Sequence, residues 1–177
     1  MTQQPTATCG LMHSPTLRYR VVAVLGVLLS ATNCARAPHS QAPANVMTER
    51  LAVNPPGIAP LVPAYSVAIR AGGQVFVSGM TGITPGTQDI IAGGVAAQTR
   101  QTLENIRAAL LASGAAMADV SECTVFLMDM ADYAAMNSVY AEYFRVDPPA
   151  RATVAVTALP RPAARVEIKC SAQIRRR

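Results

Sequence analysis

The residues of this 177-residue chain best suited to chemistry lie in one stretch near its end. Pro148-Pro149-Ala150-Arg151 places an arginine behind a stiff turn, at the mouth of an apolar strand running from Ala152 to Val156. A second turn, Leu159-Pro160-Arg161-Pro162, returns the chain into a last strand that opens with Val166-Glu167. Arginine keeps its charge at any working pH, and its planar fork matches a carboxylate bidentately. A carboxylate nearby can hold a water or take its proton. The pair therefore suits capture of a small carboxylate beside an activated water. Arginines at strand starts and glutamates on polar strand faces are more often solvated surface groups, so the weight of this pair depends on the elements that position it.

Those elements can be read in order. Tyr65 to Arg70 and Gln74 to Ser78 alternate as strands, and Ala71-Gly72-Gly73 between them reads as a hairpin turn. Ser78-Gly79-Met80-Thr81-Gly82 leaves the second strand with glycines that let backbone approach something closely. Asp89 to Ile91 is a candidate short third strand. A helix follows Gly93-Gly94 and runs to about Ser113, with Thr99, Leu103, Ile106 and Leu110 on one face and Arg100, Glu104 and Arg107 on the other. Gly114 suits its C-terminal cap. Glu122 to Leu127 is an apolar strand, and Asp132 suits the N-cap of a second helix. There Met136, Val139, Tyr140, Tyr143 and Phe144 form a core stripe, with Asn137 off it. The last strand sets Val166, Ile168, Cys170, Ala172 and Ile174 on one face and Glu167, Lys169, Ser171 and Gln173 on the other. Two helices can cover only one face of such a sheet. The uncovered face is expected to carry Arg151, Thr153 and Glu167 and to meet a second copy of the chain.

Composition narrows the function. Hydrophobic residues make up 51% and charged ones 14%, as in a globular chain rather than a disordered one. The net charge of +5 comes from the ends: residues 1–44 hold Arg18, Arg20 and Arg36 with no acid, and Arg175-Arg176-Arg177 form a basic tip. No basic stripe is interleaved with aromatics, so nucleic-acid binding is not expected. His13 and His39 precede the folded part, and the four cysteines, Cys9, Cys34, Cys123 and Cys170, have no CxxC spacing, so no metal site is expected. Cys123 and Cys170 read as buried thiols, and whether they pair stays open.

Residues 1–37 read as a targeting segment, 38–47 as a Pro/Ala-rich linker, 48–174 as the domain and 175–177 as a basic tip. Arg18 and Arg20 precede an apolar run from Val21 to Leu29. That run is shorter than the roughly 20 residues a bilayer span needs, and it suits a cleaved signal. Cys34, after Ala31-Thr32-Asn33, is a candidate lipid-anchor site, though Asn33 stands where a small residue is usual. The chain is expected to be exported in a bacterium, as a periplasmic protein or a membrane-anchored lipoprotein.

In order and spacing, the words of the domain resemble the Rid family, also called YjgF or L-PSP, the reactive-intermediate imine deaminases. The matching blocks include Ala64-Tyr65-Ser66, Val75-Phe76-Val77-Ser78-Gly79, Leu103-Glu104-Asn105-Ile106, Thr124-Val125-Phe126-Leu127, Pro149-Ala150-Arg151, Leu159-Pro160 and Val166-Glu167-Ile168. The resemblance implies an α+β, chorismate-mutase-like fold, with a five- or six-stranded mixed sheet, two helices on one face, and a homotrimer with clefts between subunits. It carries the carboxylate-binding arginine to Arg151, the water-activating glutamate to Glu167 and the cleft tyrosine to Tyr65. Ser78, Gly79 and Asn137 match other cleft positions. Thr153 stands where many members have cysteine, Met80 where many have glutamine, and Pro63-Ala64 where Gly-Pro is usual.

The activity so implied is cofactor-free hydrolysis of 2-imino or enamino acids to 2-oxo acids and ammonia, of the 2-iminobutanoate/2-iminopropanoate deaminase type. The alternative is a non-catalytic Rid-like protein that binds a small carboxylate as sensor or sequestering agent. Some relatives carry a ribonuclease name; no basic groove or catalytic histidine in this domain favours it.

Overall fold

A computed structural model describes residues 49–174. The targeting segment, the linker, Cys34, both histidines and the basic tip lie outside the described residues. Six strands and two helices follow one another: β1 (Leu51–Val53), β2 (Ala68–Ala71), β3 (Gln74–Thr81), α1 (Gly94–Ala112), β4 (Val120–Leu127), α2 (Tyr133–Tyr143), β5 (Ala150–Ala155) and β6 (Val166–Gln173). They make one mixed sheet in the order β1-β2-β3-β6-β4-β5. All neighbours are antiparallel except β4 and β5, which run parallel. A parallel pair needs a crossover, and α2 supplies it. The segment from Asp89 to Ile91 contributes a single bridge, Ile83 to Ile90, rather than a third strand.

Both helices lie on one side of the sheet, with α1 packed on β3 and β6 and against α2. Leu103, Ile106, Leu110, Met136, Val125, Val166 and Ile168 are fully buried between the layers. Burying side chains of this size contributes about 1.5–3 kcal/mol each. The helix periodicities read from the sequence supply this core directly. Gly114 closes α1, its N–H donating to the Leu111 carbonyl at 3.0 Å. Asp132 precedes α2 but does not cap it with its side chain. Its carboxylate is drawn off by Arg165, whose Nε donates to Oδ2 at 2.8 Å, and Asp129 instead accepts from the Ala131 N–H at 2.8 Å.

Two buried amides on α1 steer the loops that border the cleft. Asn105 Nδ2 donates to the carbonyls of Thr81 (3.1 Å) and Ile83 (2.9 Å), fixing the end of β3. Gln98 donates to the Ala163 carbonyl at 3.1 Å and accepts from the Arg165 N–H at 2.7 Å, which pins the β5–β6 connection. The helix comes this close because residue 82 is glycine: a Cβ there would sit 2.9 Å from the Gln98 backbone.

Cys123 and Cys170 face each other across β4 and β6 and form a disulfide, with Cα atoms 4.1 Å apart and a sequence separation of 47. Constraining the unfolded chain over a loop of this length contributes about 4 kcal/mol. Equilibrium urea denaturation with and without a thiol reductant should differ by that amount. A midpoint that does not move would mean the two sulfurs are not joined in solution.

Candidate functional site

Strict alternation in β6 sends Val166, Ile168, Cys170 and Ala172 into the core and leaves Glu167 and Lys169 on the uncovered face. Glu167 stands in register with Thr81 on β3 and Phe126 on β4. Between Val77 and Met80 the β3–β6 register slips by one residue, a bulge that holds Ser78 and Gly79. There the Glu167 carboxyl lies directly over Gly79. A Cβ on Gly79 would come within 2.8 Å of Glu167 Cδ and overlap Oε1. The bulge also ties down the loop before β2: the Ser78 hydroxyl donates to the Ser66 carbonyl at 2.7 Å and its N–H to the Val67 carbonyl at 2.9 Å. Tyr65 stands in that loop, its hydroxyl accepting from the Leu61 N–H at 2.8 Å.

These parts enclose a cleft of about 520 Å³. Its floor is Ser78, Gly79, Thr81 and Glu167; Leu61, Val62 and Tyr65 form one wall, and Pro160, Arg161 and Lys169 complete it. Glu167 is half-buried and has no hydrogen-bond partner among the described residues. Burial pushes its carboxyl above the ordinary value of 4.5.

Arg151 is elsewhere. β5 and β6 are consecutive in sequence but are not neighbours, because β4 lies between them. Arg151 and Thr153 pair with Cys123 and Val125, both buried under the helices. The arginine and Thr153 therefore face the helix-covered side at the β5 edge, not the uncovered side expected from the sequence. The parallel β4–β5 pairing sets this face, and nothing in the local pattern of β5 reveals it. Arg151 Nη2 donates to the Tyr133 hydroxyl at 3.0 Å, and its guanidinium carbon stands 4.6 Å from the Tyr140 ring centroid. Such a cation–π contact is worth about 0.5–2 kcal/mol. Burial pushes the Tyr140 hydroxyl up to about 12, with the Arg151 charge pulling the other way. Asn137 lies one turn from each tyrosine on the same side of α2. No carboxylate within the described residues pairs with Arg151.

The structure thus brings Tyr65, Ser78, Gly79 and Glu167 together and gathers Arg151, Asn137 and Thr153 at a second place. Sequence reasoning missed Arg161 and Lys169 as cleft residues. The signal for Lys169 was its place two residues beyond Glu167 on one strand face; for Arg161 it was the turn between Pro160 and Pro162. Among the described residues no cluster of His, Cys, Asp and Glu is arranged to hold a metal ion.

The shift of Glu167 has a consequence for stability. With its folded value raised, the folded state binds more protons than the unfolded chain between 4.5 and that higher value. Stability from this group is therefore full below 4.5 and is lost as pH rises through the folded value. Glu167→Gln should remove that loss: the variant should be the more stable at pH 7 and lose its advantage on acidification, as read by urea denaturation at both pH values. Equal wild-type and variant midpoints at pH 7 would show that the carboxyl is fully solvated.

Comparison with known proteins bears on the family and the fold. The family model described as endoribonuclease L-PSP matches residues 58–174. A RutC family protein of Pyrococcus horikoshii is 50% identical over 97 residues, covering 55% of this chain and 77% of the relative. A mouse (Mus musculus) protein named 2-iminobutanoate/2-iminopropanoate deaminase is 38% identical over 108 residues, covering 61% of this chain and 79% of its own length. A crystal structure of a Rid family protein of unknown function from Yersinia pestis superposes with a TM-score of 0.66 at 34% identity, over 71% of this chain and 99% of that one. With its six-stranded mixed sheet, its two helices on one face and a match that runs through both β3 and β6, the chain belongs to the L-PSP family, the Rid or YjgF proteins.

Proposed function

We propose that the chain hydrolyses 2-imino and enamino acids to 2-oxo acids and ammonia, in a cleft completed between copies of a homotrimer. One observation carries the reading. A half-buried carboxylate and an arginine, each without an oppositely charged partner, stand on opposite faces of one sheet, where they cannot serve one ligand within a single copy. The uncovered face around Glu167 and the β5 edge at Arg151 are complementary halves, and a neighbouring copy can supply the missing one. The deaminase name of the mouse relative supports the chemistry. The Cys123–Cys170 disulfide supports export, since oxidising compartments sustain such bonds.

The reaction follows from the groups. Arg151 holds the substrate carboxylate in parallel charge-assisted hydrogen bonds, steadied by Tyr133 and Tyr140. Glu167 orients a water and accepts one of its protons as the oxygen bonds to the imine carbon. The C=N electron pair moves to nitrogen, which takes the proton back from Glu167 to give a carbinolamine. Glu167 then passes the remaining hydroxyl proton to the nitrogen as the C=O bond forms and the C–N bond breaks, so ammonia leaves and the former water oxygen remains as the ketone. Imines hydrolyse unaided in water, so positioning and proton transfer worth about 10²–10⁴-fold suffice.

Ammonia release from freshly generated 2-imino acids tests this. Light scattering should give three times the protomer mass. Arg151→Lys keeps the charge but loses the fork, and should cost about 2–5 kcal/mol in ligand binding. Glu167→Gln should bind product nearly as wild type and turn over slowly. The wild-type rate should rise with pH through a value above 4.5, because only the ionised carboxyl accepts the proton. Gly79→Ala, whose Cβ displaces the carboxyl, should lose about 10²-fold in rate while remaining folded. Protein that binds 2-oxo acids but leaves the imine half-life unchanged would be a carboxylate binder instead.

A further inference from the structure

The cleft around Glu167 holds more positive charge than one substrate carboxylate requires. Lys169 is exposed on the same face of β6 and lines the cleft. Its ammonium has no hydrogen bond or ion pair among the described residues. Arg161 lines the cleft as well. Its fork donates to the Gln88 carbonyl at 2.7 Å and to Gln88 Oε1 at 2.5 Å. Both acceptors are neutral, so the guanidinium is aimed but its charge is not offset. Neither cation pairs with Glu167, whose carboxyl is shifted upward by burial with no opposing pull from a positive charge.

We infer that the cleft selects 2-imino acids bearing a second anionic group, the imines of acidic amino acids, with Lys169 and Arg161 receiving the distal carboxylate. This rests on the deaminase reading of the site. Arg151 would then take the carboxylate beside the imine carbon, and Glu167 the water. A purely apolar side chain would cover two cations and give them no counterion, a desolvation cost that counts against such substrates. A dianion offsets both charges and is drawn in by the field of the cleft. Leu61 and Val62 would pack along the aliphatic part between the two carboxylates.

The test compares imines formed in place from L-glutamate and L-leucine by amino-acid oxidases, using the full chain. The ratio of kcat/KM for the glutamate imine over the leucine imine should exceed one. It should fall about tenfold in Lys169→Gln and in Arg161→Gln, the fold-change carried by one charge-assisted hydrogen bond. Lys169→Glu should invert it. A ratio at or below one, or variants that lower both substrates alike, overturns the inference while leaving the deaminase reading in place. If neither imine is hydrolysed, the deaminase reading fails and calorimetry with the product acids decides the inference. Tighter binding of 2-oxoglutarate than of 4-methyl-2-oxopentanoate, with the difference lost in Lys169→Gln, supports it; equal affinities overturn it.

Discussion

β6 is hydrogen-bonded along both edges, to β3 and to β4, and its period of two separates the core from the cleft. Val166, Ile168, Cys170 and Ala172 are buried to within a few per cent, and a slip of one residue would bring Glu167 and Lys169 into the core in their place. The cost of burying two charges forbids that slip. Three devices hold the register: the disulfide to β4, the bulge in β3 and the Gln98 contacts at the strand entrance. The cleft is therefore a by-product of the packing that makes the sheet, and its carboxylate stands on rigid backbone rather than on a loop.

The same logic separates Glu167 from Arg151. Parallel pairing of β4 with β5 gives Arg151 the face of Cys123, while antiparallel pairing of β4 with β6 gives Glu167 the face of Phe126. Cys123 and Phe126 lie three residues apart on one strand, and the odd spacing alone puts their partners on opposite sides of the sheet. Arg151 is stiffened where it stands by Tyr140, a member of the apolar stripe that the sequence offers, and by the exposed Tyr133. A residue that packs the core, Tyr140, thus also presents the guanidinium.

Much of this was legible beforehand because period carries it. The two helices, the final strand and the hairpin around Gly72-Gly73 follow from spacing of 3.6 and 2, and the residues on the buried faces are those the spacing names. Tyr65, Ser78, Gly79 and Glu167 line one cleft. What escaped is long-range. The strand order that inserts β4 between β5 and β6 leaves no local mark, so local pattern alone puts Arg151 and Thr153 on the wrong face. Asp132 has the residue type of a cap, but Arg165, 33 positions away, competes for its carboxylate. The buried amides of Gln98 and Asn105 sit inside an otherwise ordinary amphipathic helix, and only tertiary contact reveals that they hold the rims of the cleft.

The position of the disulfide also governs how the domain would respond to being pulled. Tension applied at the two ends of the domain passes from β4 to β6 through the sulfur bridge, so the residues between Cys123 and Cys170 carry none of it. That sheltered segment contains α2 and β5, and with them Tyr133, Tyr140 and Arg151. An oxidised domain stretched to its limit would be shorter than a reduced one by about 160 Å, the contour length of the bypassed chain. Pulled in this way, the oxidised domain would keep Arg151 and the two tyrosines beside it outside the mechanical path while the outer strands gave way.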